Sequence, residues 1–134
     1  MDKRAAAAGA AAAVAWGLIE PLDMALLRCD YSDIALLGKG VTRGPRWRTV
    51  GFVIHAANGA AFGAAWAALN KRRRVSPVAL ALVEHVALWP LGRLVDRYHP
   101  ARGELPRLTG NRAAYAQATW RHLFFGALLG RLAR

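Results

Sequence analysis

The sequence predicts an all-α fold, a four-transmembrane-helix up-and-down bundle, from the length of its apolar segments and from its composition. Four apolar segments follow one another along the 134 residues, and each suits a helix that crosses about 30 Å of hydrocarbon. Hydrophobic residues make up 55% of the chain, mostly alanine and leucine, which favour helix over strand. Because this length suits one domain, residues 1–134 are expected to form a single integral membrane domain.

The first predicted helix covers residues 5–27. Lys3 and Arg4 before an apolar run resemble the start of a secretory signal peptide, which is one interpretation of this segment. The apolar run continues past its small residues through Trp16, so we favour a retained span. Glu20 lies in its second half.

The second predicted helix, residues 49–69, is the only one of the four without a charged side chain. His55 and Asn58 lie near its middle. Polar groups at mid-depth in a bilayer are expensive, so by default they indicate a functional site.

The third predicted helix, residues 77–95, begins at Pro77 after a serine that can cap the free amides. Glu84 and His85 lie close to its centre. Pro90 is expected to break this helix beside the polar residues, because proline cannot donate the helical hydrogen bond.

The fourth predicted helix covers residues 113–132, with Asn111 as its cap and Arg121 and His122 at its centre. A soluble all-α bundle is the alternative for these four segments. Its amphipathic helices would carry a polar stripe facing water, and the second and third segments show none.

The predicted connections are long at residues 28–48 and 96–111 and short at 70–76, which is compatible with antiparallel neighbouring helices. Residues 32–37 are expected to form one short helical turn at the membrane interface. The dense basic run at 71–74 favours both termini inside, although the long loops hold slightly more basic residues.

The charge of the chain points to a partner that is negatively charged. The sequence has 19 Lys and Arg residues against 8 Asp and Glu, a net charge of +11. The basic residues crowd the ends of the apolar segments, where attraction to anionic lipid headgroups contributes about 1 kcal/mol per residue. This placement favours an integral protein of the cell (plasma) membrane over nucleic-acid binding. The single cysteine excludes an internal disulfide framework.

Small residues recur every four positions in the second and fourth segments, and the Phe-Gly pairs of the two segments are in nearly the same register. One interpretation is a duplication of a helical hairpin. The other is close packing of membrane helices through small residues. In either case these faces should contact protein and should turn His55 and His122 into the bundle. The predicted packing glycines are Gly51, Gly59, Gly63, Gly126 and Gly130.

Polar side chains from three of the segments are predicted to lie near one depth, and Glu20 of the first segment lies about four residues from the centre of that segment. The predicted polar cluster combines all of these residues. They are Glu20, His55, Asn58, Glu84, His85, Arg121 and His122. A lone arginine in lipid is unfavourable, so Arg121 is expected to form a bidentate pair with Glu84 or Glu20. A purely structural interpretation is an ion pair that sets the register of the helices.

The sequence shows no catalytic triad order, Cys-His pair or phosphate loop, so a non-enzymatic function is favoured. The leading hypothesis is that the buried Glu/His/Arg cluster binds a proton, an ion or a metal. His55, His85 and His122 are the candidate metal ligands, and two of them would be enough for haem. A proton or ion path through so few helices implies a homo-oligomer. The alternative is an accessory subunit that docks on a larger membrane complex through its Gly/Ala faces.

Overall fold

The computed structural model describes residues 2–134, and this part of the chain is 78% helical with no strands. The predicted all-α class is therefore confirmed. Six α-helices follow in order, with one 3-10 turn at Trp89–Leu91 between the fourth and fifth. Their bounds are α1 Lys3–Leu27, α2 Asp33–Val41, α3 Trp47–Arg73, α4 Pro77–Leu88, α5 Gly92–Tyr98 and α6 Arg112–Leu132.

Within residues 2–134, three stretches are long and apolar enough to cross a membrane: α1, α3 and the continuous run Pro77–Tyr98 that contains α4 and α5. The structure therefore has three candidate membrane spans, whereas the sequence predicted four. α6 is also long, with 21 residues, but Gln117, Arg121 and Arg131 lower its mean hydropathy.

The apolar surfaces of these three stretches are mostly not covered by protein. Only 33%, 22% and 17% of their most apolar windows are buried, in chain order. Large side chains such as Leu22, Val53 and Val83 are each more than half exposed. A soluble bundle would cover such surfaces or replace them with polar residues.

The helices pack in the spatial order α3, α1, α6, α4. The α1/α3 and α4/α6 pairs are in extensive contact, and α1 joins the two pairs by packing against α6. The neighbours α3 and α4 do not pack along their lengths, although only a short connection separates them. The up-and-down arrangement is therefore open on the α3–α4 side.

Small residues allow α1 and α3 to approach closely. A Cβ atom built at Gly59 would overlap the carbonyl of Gly9, and one at Gly63 would overlap the carbonyl of Ala5. Backbones can meet this closely only where both helices lack side-chain bulk. This contact presses the predicted small-residue face of α3 against the N-terminal half of α1.

The two predicted packing glycines of α6, Gly126 and Gly130, lie against the start of α4. A Cβ atom at Gly126 would be 2.6 Å from the Cα of Val78. One at Gly130 would be 2.9 Å from the ring Cγ of Pro77. Both glycines of α6 therefore serve contacts inside the chain.

α2 turns back into the bundle, which the sequence did not predict. Its first residue, Asp33, lies at the level of Glu20, which is seven residues, or about 10 Å, before the end of α1. Gly51 of α3 packs against the carbonyl of Ile34. The predicted interfacial turn is instead a nine-residue helix packed on α3, with its N-terminus directed to the interior.

The predicted break at Pro90 takes the form of the 3-10 turn between α4 and α5. The loop that follows α5 covers α2 from outside. His99 is hydrogen-bonded through Nε2 to the carbonyl of Leu36 at 2.8 Å, and Lys39 and Arg43 pair with Glu104. The α2 end of the bundle is therefore closed by the two long connections.

Candidate functional site

The polar residues predicted at mid-depth divide between two adjacent sites. Arg121 and Glu20 belong to the first, which we call the arginine site; its further members are Asp23, Tyr31, Asp33 and Gln117. The second is a cavity between α3 and α4, which we call the histidine cavity. It contains the other predicted residues, namely His55, Asn58, Glu84, His85 and His122.

Arg121 is fully buried, and its guanidinium donates five hydrogen bonds. Two of them form a bidentate pair with Asp23, at 2.7 Å and 2.5 Å. The carboxylates of Asp33 and Glu20 accept at 3.1 Å and 3.4 Å, and the carbonyl of Tyr31 accepts at 2.9 Å. The guanidinium has five N–H groups, so its donors are all used.

The carboxylates are held in turn by groups from the re-entrant segment and from α6. Glu20 accepts from the hydroxyl of Ser32 at 2.5 Å and from the backbone N–H of Asp33 at 2.8 Å. Asp23 accepts from the side chains of Gln117 at 3.1 Å and Trp120 at 2.9 Å. The site therefore ties α1, the start of α2 and α6 together.

The predicted ion pair between Arg121 and Glu84 is wrong. Glu84 lies on α4, half-buried at the wall of the cavity, and none of residues 2–134 forms a hydrogen bond or ion pair with its side chain. The predicted alternative, Glu20, does contact Arg121, but at the longest of the five distances. The reason is that carboxylates of α1 and α2 contact Arg121 of α6 directly, whereas Glu84 of α4 lines the cavity.

The arginine site holds more negative than positive formal charge. One guanidinium faces the three carboxylates of Glu20, Asp23 and Asp33, so full ionisation gives +1 − 3 = −2. The phenol of Tyr31 donates to Asp33 at 2.7 Å and adds no charge, because burial, together with the charge of Asp33, raises its pKa well above the ordinary value. Uncompensated charge in a buried site is strongly unfavourable.

The histidine cavity has a volume of about 280 Å³. α1 and α6 form its back wall, α3 and α4 its sides, and α2 one end. It is not enclosed. Asn58 on one side and Leu88 and Leu91 on the other are exposed lining residues, so the cavity opens between α3 and α4. Asp33 belongs to both sites, since it also lines the cavity.

Four rings form a continuous row along the back of the cavity. His55 lies 4.9 Å from Trp16, Trp16 lies 4.7 Å from His122, and His122 lies 4.8 Å from His85, measured between ring centroids. His85 is hydrogen-bonded through Nε2 to the hydroxyl of Thr119 at 2.9 Å. His122 donates through Nδ1 to a backbone carbonyl of its own helix at 2.6 Å.

This arrangement argues against the predicted three-histidine metal site. Within residues 2–134, no group of three His, Cys, Asp or Glu side chains is placed to hold a metal ion. The indole of Trp16 separates His55 from His122, and His85 and His122 each use one ring nitrogen on a protein partner. The cavity volume of about 280 Å³ lies just below the range of about 300–1,000 Å³ for sites that bind drug-sized ligands, so the cavity is small for haem.

Two ring nitrogens of residues that line the cavity lack a hydrogen-bond partner among the described residues: Nε1 of Trp16 and Nε2 of His55. Both side chains are more than nine-tenths buried. Buried polar atoms in folded proteins are nearly always paired, so such atoms call for an explanation. Neither nitrogen has appreciable accessible surface, so neither faces the open space of the cavity.

Sequence reasoning missed Asp23, Tyr31, Asp33 and Gln117. Two signals were available. Glu20 and Asp23 are three residues apart and hence share one face of α1. Ser32 before Asp33 is a helix-capping pattern, and its hydroxyl does accept from the N–H of Ala35. Neither signal says that α2 enters the bundle.

The chain matches no known protein family, no curated protein and no solved structure. Its function is therefore inferred from its own residues and their geometry.

Proposed function

We propose that this chain is a four-helix integral membrane protein whose arginine site takes up and releases a proton within the bilayer. The observation that carries the proposal is the surplus of buried carboxylates around Arg121. Binding of a proton lowers the net negative charge of the site without requiring any further partner.

Membrane placement is supported by the three long apolar stretches and by their uncovered leucine and valine side chains. α6 serves as the fourth span in this proposal. Its charged centre, Arg121, is fully buried among the other helices and does not contact lipid. The basic residues at the helix ends would lie at anionic headgroups, with both termini inside at the plasma membrane.

A duplicated helical hairpin is part of the same proposal. Among α1, α3, α4 and α6, the helices that pair most closely are α1 with α3 and α4 with α6, which are the two hairpins of the predicted repeat. The matching glycine contacts, Gly59 and Gly63 in one pair and Gly126 and Gly130 in the other, support it.

The proton is assigned to the pair formed by Glu20 and Asp33. Asp23 makes the short bidentate contact with Arg121, which engages both of its carboxylate oxygens. Glu20 and Asp33 share the remaining nitrogen of the guanidinium at longer distances, and adjacent carboxylates hold one proton between them more readily than none. Because Asp33 also lines the histidine cavity, it provides the route by which the proton arrives.

Infrared titration of the purified protein in lipid would test this assignment. A protonated carboxylic acid gives a C=O stretching band that is absent from a carboxylate, and its intensity should change between about pH 5 and pH 9. Glu20→Gln and Asp33→Asn should remove this band. Glu104→Gln changes an exposed glutamate and should leave it unaltered. A wild-type spectrum without a titrating carboxylic acid would overturn the proposal.

The alternative of an accessory subunit receives less support. It assigns docking to the Gly/Ala faces, but Gly59 and Gly63 pack on α1, and Gly126 and Gly130 pack on α4. A larger complex or a homo-oligomer would therefore have to use other surfaces. Co-purification of one stoichiometric partner from native membranes would favour the alternative.

A further inference from the structure

Glu84 takes no part in the arginine site. Its side chain has no hydrogen bond or ion pair within residues 2–134. Unlike the ring nitrogens of Trp16 and His55, its carboxyl oxygens keep accessible surface, because the side chain is only half-buried. Glu84 lies within about 6 Å of the midpoint of the stretch Pro77–Tyr98. A carboxyl group without a partner at this depth is unfavourable and calls for a positively charged partner.

The ionisable side chains of the histidine cavity favour a cation as that partner. The chain has a net charge of +11, but none of the described residues that line the cavity is a lysine or an arginine. Asp33 lines the same cavity, and its oxygens are already used by Tyr31 and Arg121. Glu84 adds a fourth carboxylate to the three around Arg121. Its oxygens remain free to pair with a positive charge in the cavity.

The opening of the cavity lies next to Glu84. Leu88 follows Glu84 by four residues on the same face of α4, and it is an exposed lining residue at the opening. Asn58 of α3 is exposed on the opposite side. Because α3 and α4 do not pack along their lengths, this opening faces hydrocarbon in the membrane placement proposed above. A ligand that enters here must partition into the bilayer, which hydrated inorganic ions do not do.

The interior of the cavity suits the apolar body of an organic ion. Its volume of about 280 Å³ is nearly twice that of a cavity of about 150 Å³ that accepts benzene. Trp89 and Phe62 line the cavity, and both rings are only half-buried. Aromatic rings within about 6 Å of an organic cation stabilise it, and tryptophan does so best. A free carboxylate beside aromatic rings is a combination that recognises ammonium groups.

We propose that the histidine cavity binds an organic ammonium ion with an apolar body, through an ion pair with Glu84. The ligand enters from the bilayer between α3 and α4. Its nitrogen lies at Glu84 beside the opening, its apolar body fills the space lined by Trp89 and Phe62, and any chain leaves through the opening. The inference rests on the membrane placement proposed above and not on proton binding at the arginine site.

Equilibrium binding of tritiated benzyldimethylhexylammonium to the full chain in phosphatidylcholine nanodiscs would test this site. These lipids carry no net charge, and empty nanodiscs provide the background for partition into lipid. Wild-type protein should show saturable binding at one site, which the unlabelled compound should displace. The neutral isostere, in which carbon replaces the nitrogen, should displace it at least about tenfold less effectively, because it cannot pair with a carboxylate.

Two variants locate the site and one serves as a matched control. Glu84→Gln removes the charge at nearly constant size, so affinity for the ammonium ion should fall by about tenfold or more, while affinity for the isostere stays unchanged. Trp89→Leu should weaken ammonium binding by about twofold to fivefold. Glu104→Gln makes the same chemical change in an exposed loop outside the cavity and should bind like wild type.

The Glu84→Gln protein should fold normally, because the carboxyl group that it loses has no partner among the described residues. Its thermal unfolding temperature should equal or exceed that of wild type. Unchanged affinity for the ammonium ion in this variant would overturn the proposed site, as would the absence of saturable binding to wild type.

The comparison of ligands on wild-type protein does not depend on any variant. Equal binding of the ammonium ion and its isostere would identify an apolar groove without charge selection and would overturn the proposal. Displacement by calcium, at an ionic strength matched with sodium chloride, would identify a site for inorganic cations and would also overturn it.

The same preparation separates this inference from the proton site. Failure to enter nanodiscs would remove the membrane placement and overturn both. A titrating carboxylic acid that depends on Glu20 and Asp33, in a protein that does not bind the ammonium ion, would overturn the ligand inference alone. Ammonium binding that persists in Glu20→Gln, in a protein without such an acid, would support the ligand inference and overturn the proton assignment.

Discussion

Arg121 and Asp23 form a bidentate ion pair in which both side chains are almost completely buried, 0% and 7% exposed. It joins the centre of α6 to the last turns of α1, and it is surrounded by further groups that fill the remaining donors and acceptors. The pair therefore has a structural role whatever else the arginine site binds.

Removal of one partner of this pair should be strongly destabilising. Asp23→Ala leaves the guanidinium without its shortest contacts, and breaking a buried pair in this way costs about 3–5 kcal/mol. Thermal unfolding in detergent should show a large fall in midpoint. Arg131→Met, an exposed change near the end of the same helix α6, is the control and should unfold like wild type. An equal midpoint for Asp23→Ala would show that the buried pair contributes nothing.

Substitution of Gly59 should separate α1 from α3. Even the single methyl group of Gly59→Ala would overlap the carbonyl of Gly9, and overpacking of this kind costs about 1–3 kcal/mol. Gly103→Ala is the matched control, because no atom lies within 4 Å of its Cβ position. Unfolding of both variants should be followed by the same assay. A Gly59→Ala protein as stable as Gly103→Ala would mean that the two helices do not meet as described.

Ser32 should matter more than an ordinary helix cap. Its hydroxyl accepts from the N–H of Ala35 and donates to Glu20, whereas Ser76 caps α4 without a carboxylate partner. Ser32→Ala should therefore destabilise by about 1 kcal/mol more than Ser76→Ala, since it also loses the hydrogen bond to Glu20. Equal losses in the two variants would argue that the bond to Glu20 contributes no stability.

The contact between the loop after α5 and α2 should weaken at acidic pH. The hydrogen bond from Lys39 and the charge of Arg43 hold the pKa of Glu104 below its ordinary value of 4.5. A depressed carboxyl pKa gives stability that is present above the unfolded-state value and is lost as the pH falls through the folded-state value. Glu104 is exposed, so the effect should be small. The hydrogen-exchange protection factors of residues 99–111, which correct for the intrinsic pH dependence of exchange, should fall in acid in wild type. Glu104→Gln should show the lower protection already at neutral pH.

The local features of the fold were predictable from the sequence because local interactions determine them. Runs of apolar residues produced the long helices. Ser76, Pro77 and Asn111 stand where α4 and α6 begin, and Pro90 lies in the break between α4 and α5. Each of these effects acts over one helical turn or along a single helix, so composition and spacing are enough to reveal it.

The partners of Arg121 were not predictable in the same way. The pattern placed polar groups at one depth, but Glu84 and Glu20 were equally good partners by that criterion. The choice depends on how α6 is rotated against α1 and on the depth reached by the N-terminus of α2. Both follow from contacts between elements distant in sequence, such as Gly51 against Ile34 and Gly9 against Gly59.

Composition and residue spacing were enough to predict a helical protein with long apolar helices and polar side chains near the helix centres. The packing of the helices divides these side chains between two sites, an arginine bound by three carboxylates and a cavity with a row of histidine and tryptophan rings. Helix formation depends on interactions between residues a few positions apart, which a sequence pattern reveals. A site depends on the relative rotation, depth and separation of whole helices, which long-range contacts determine.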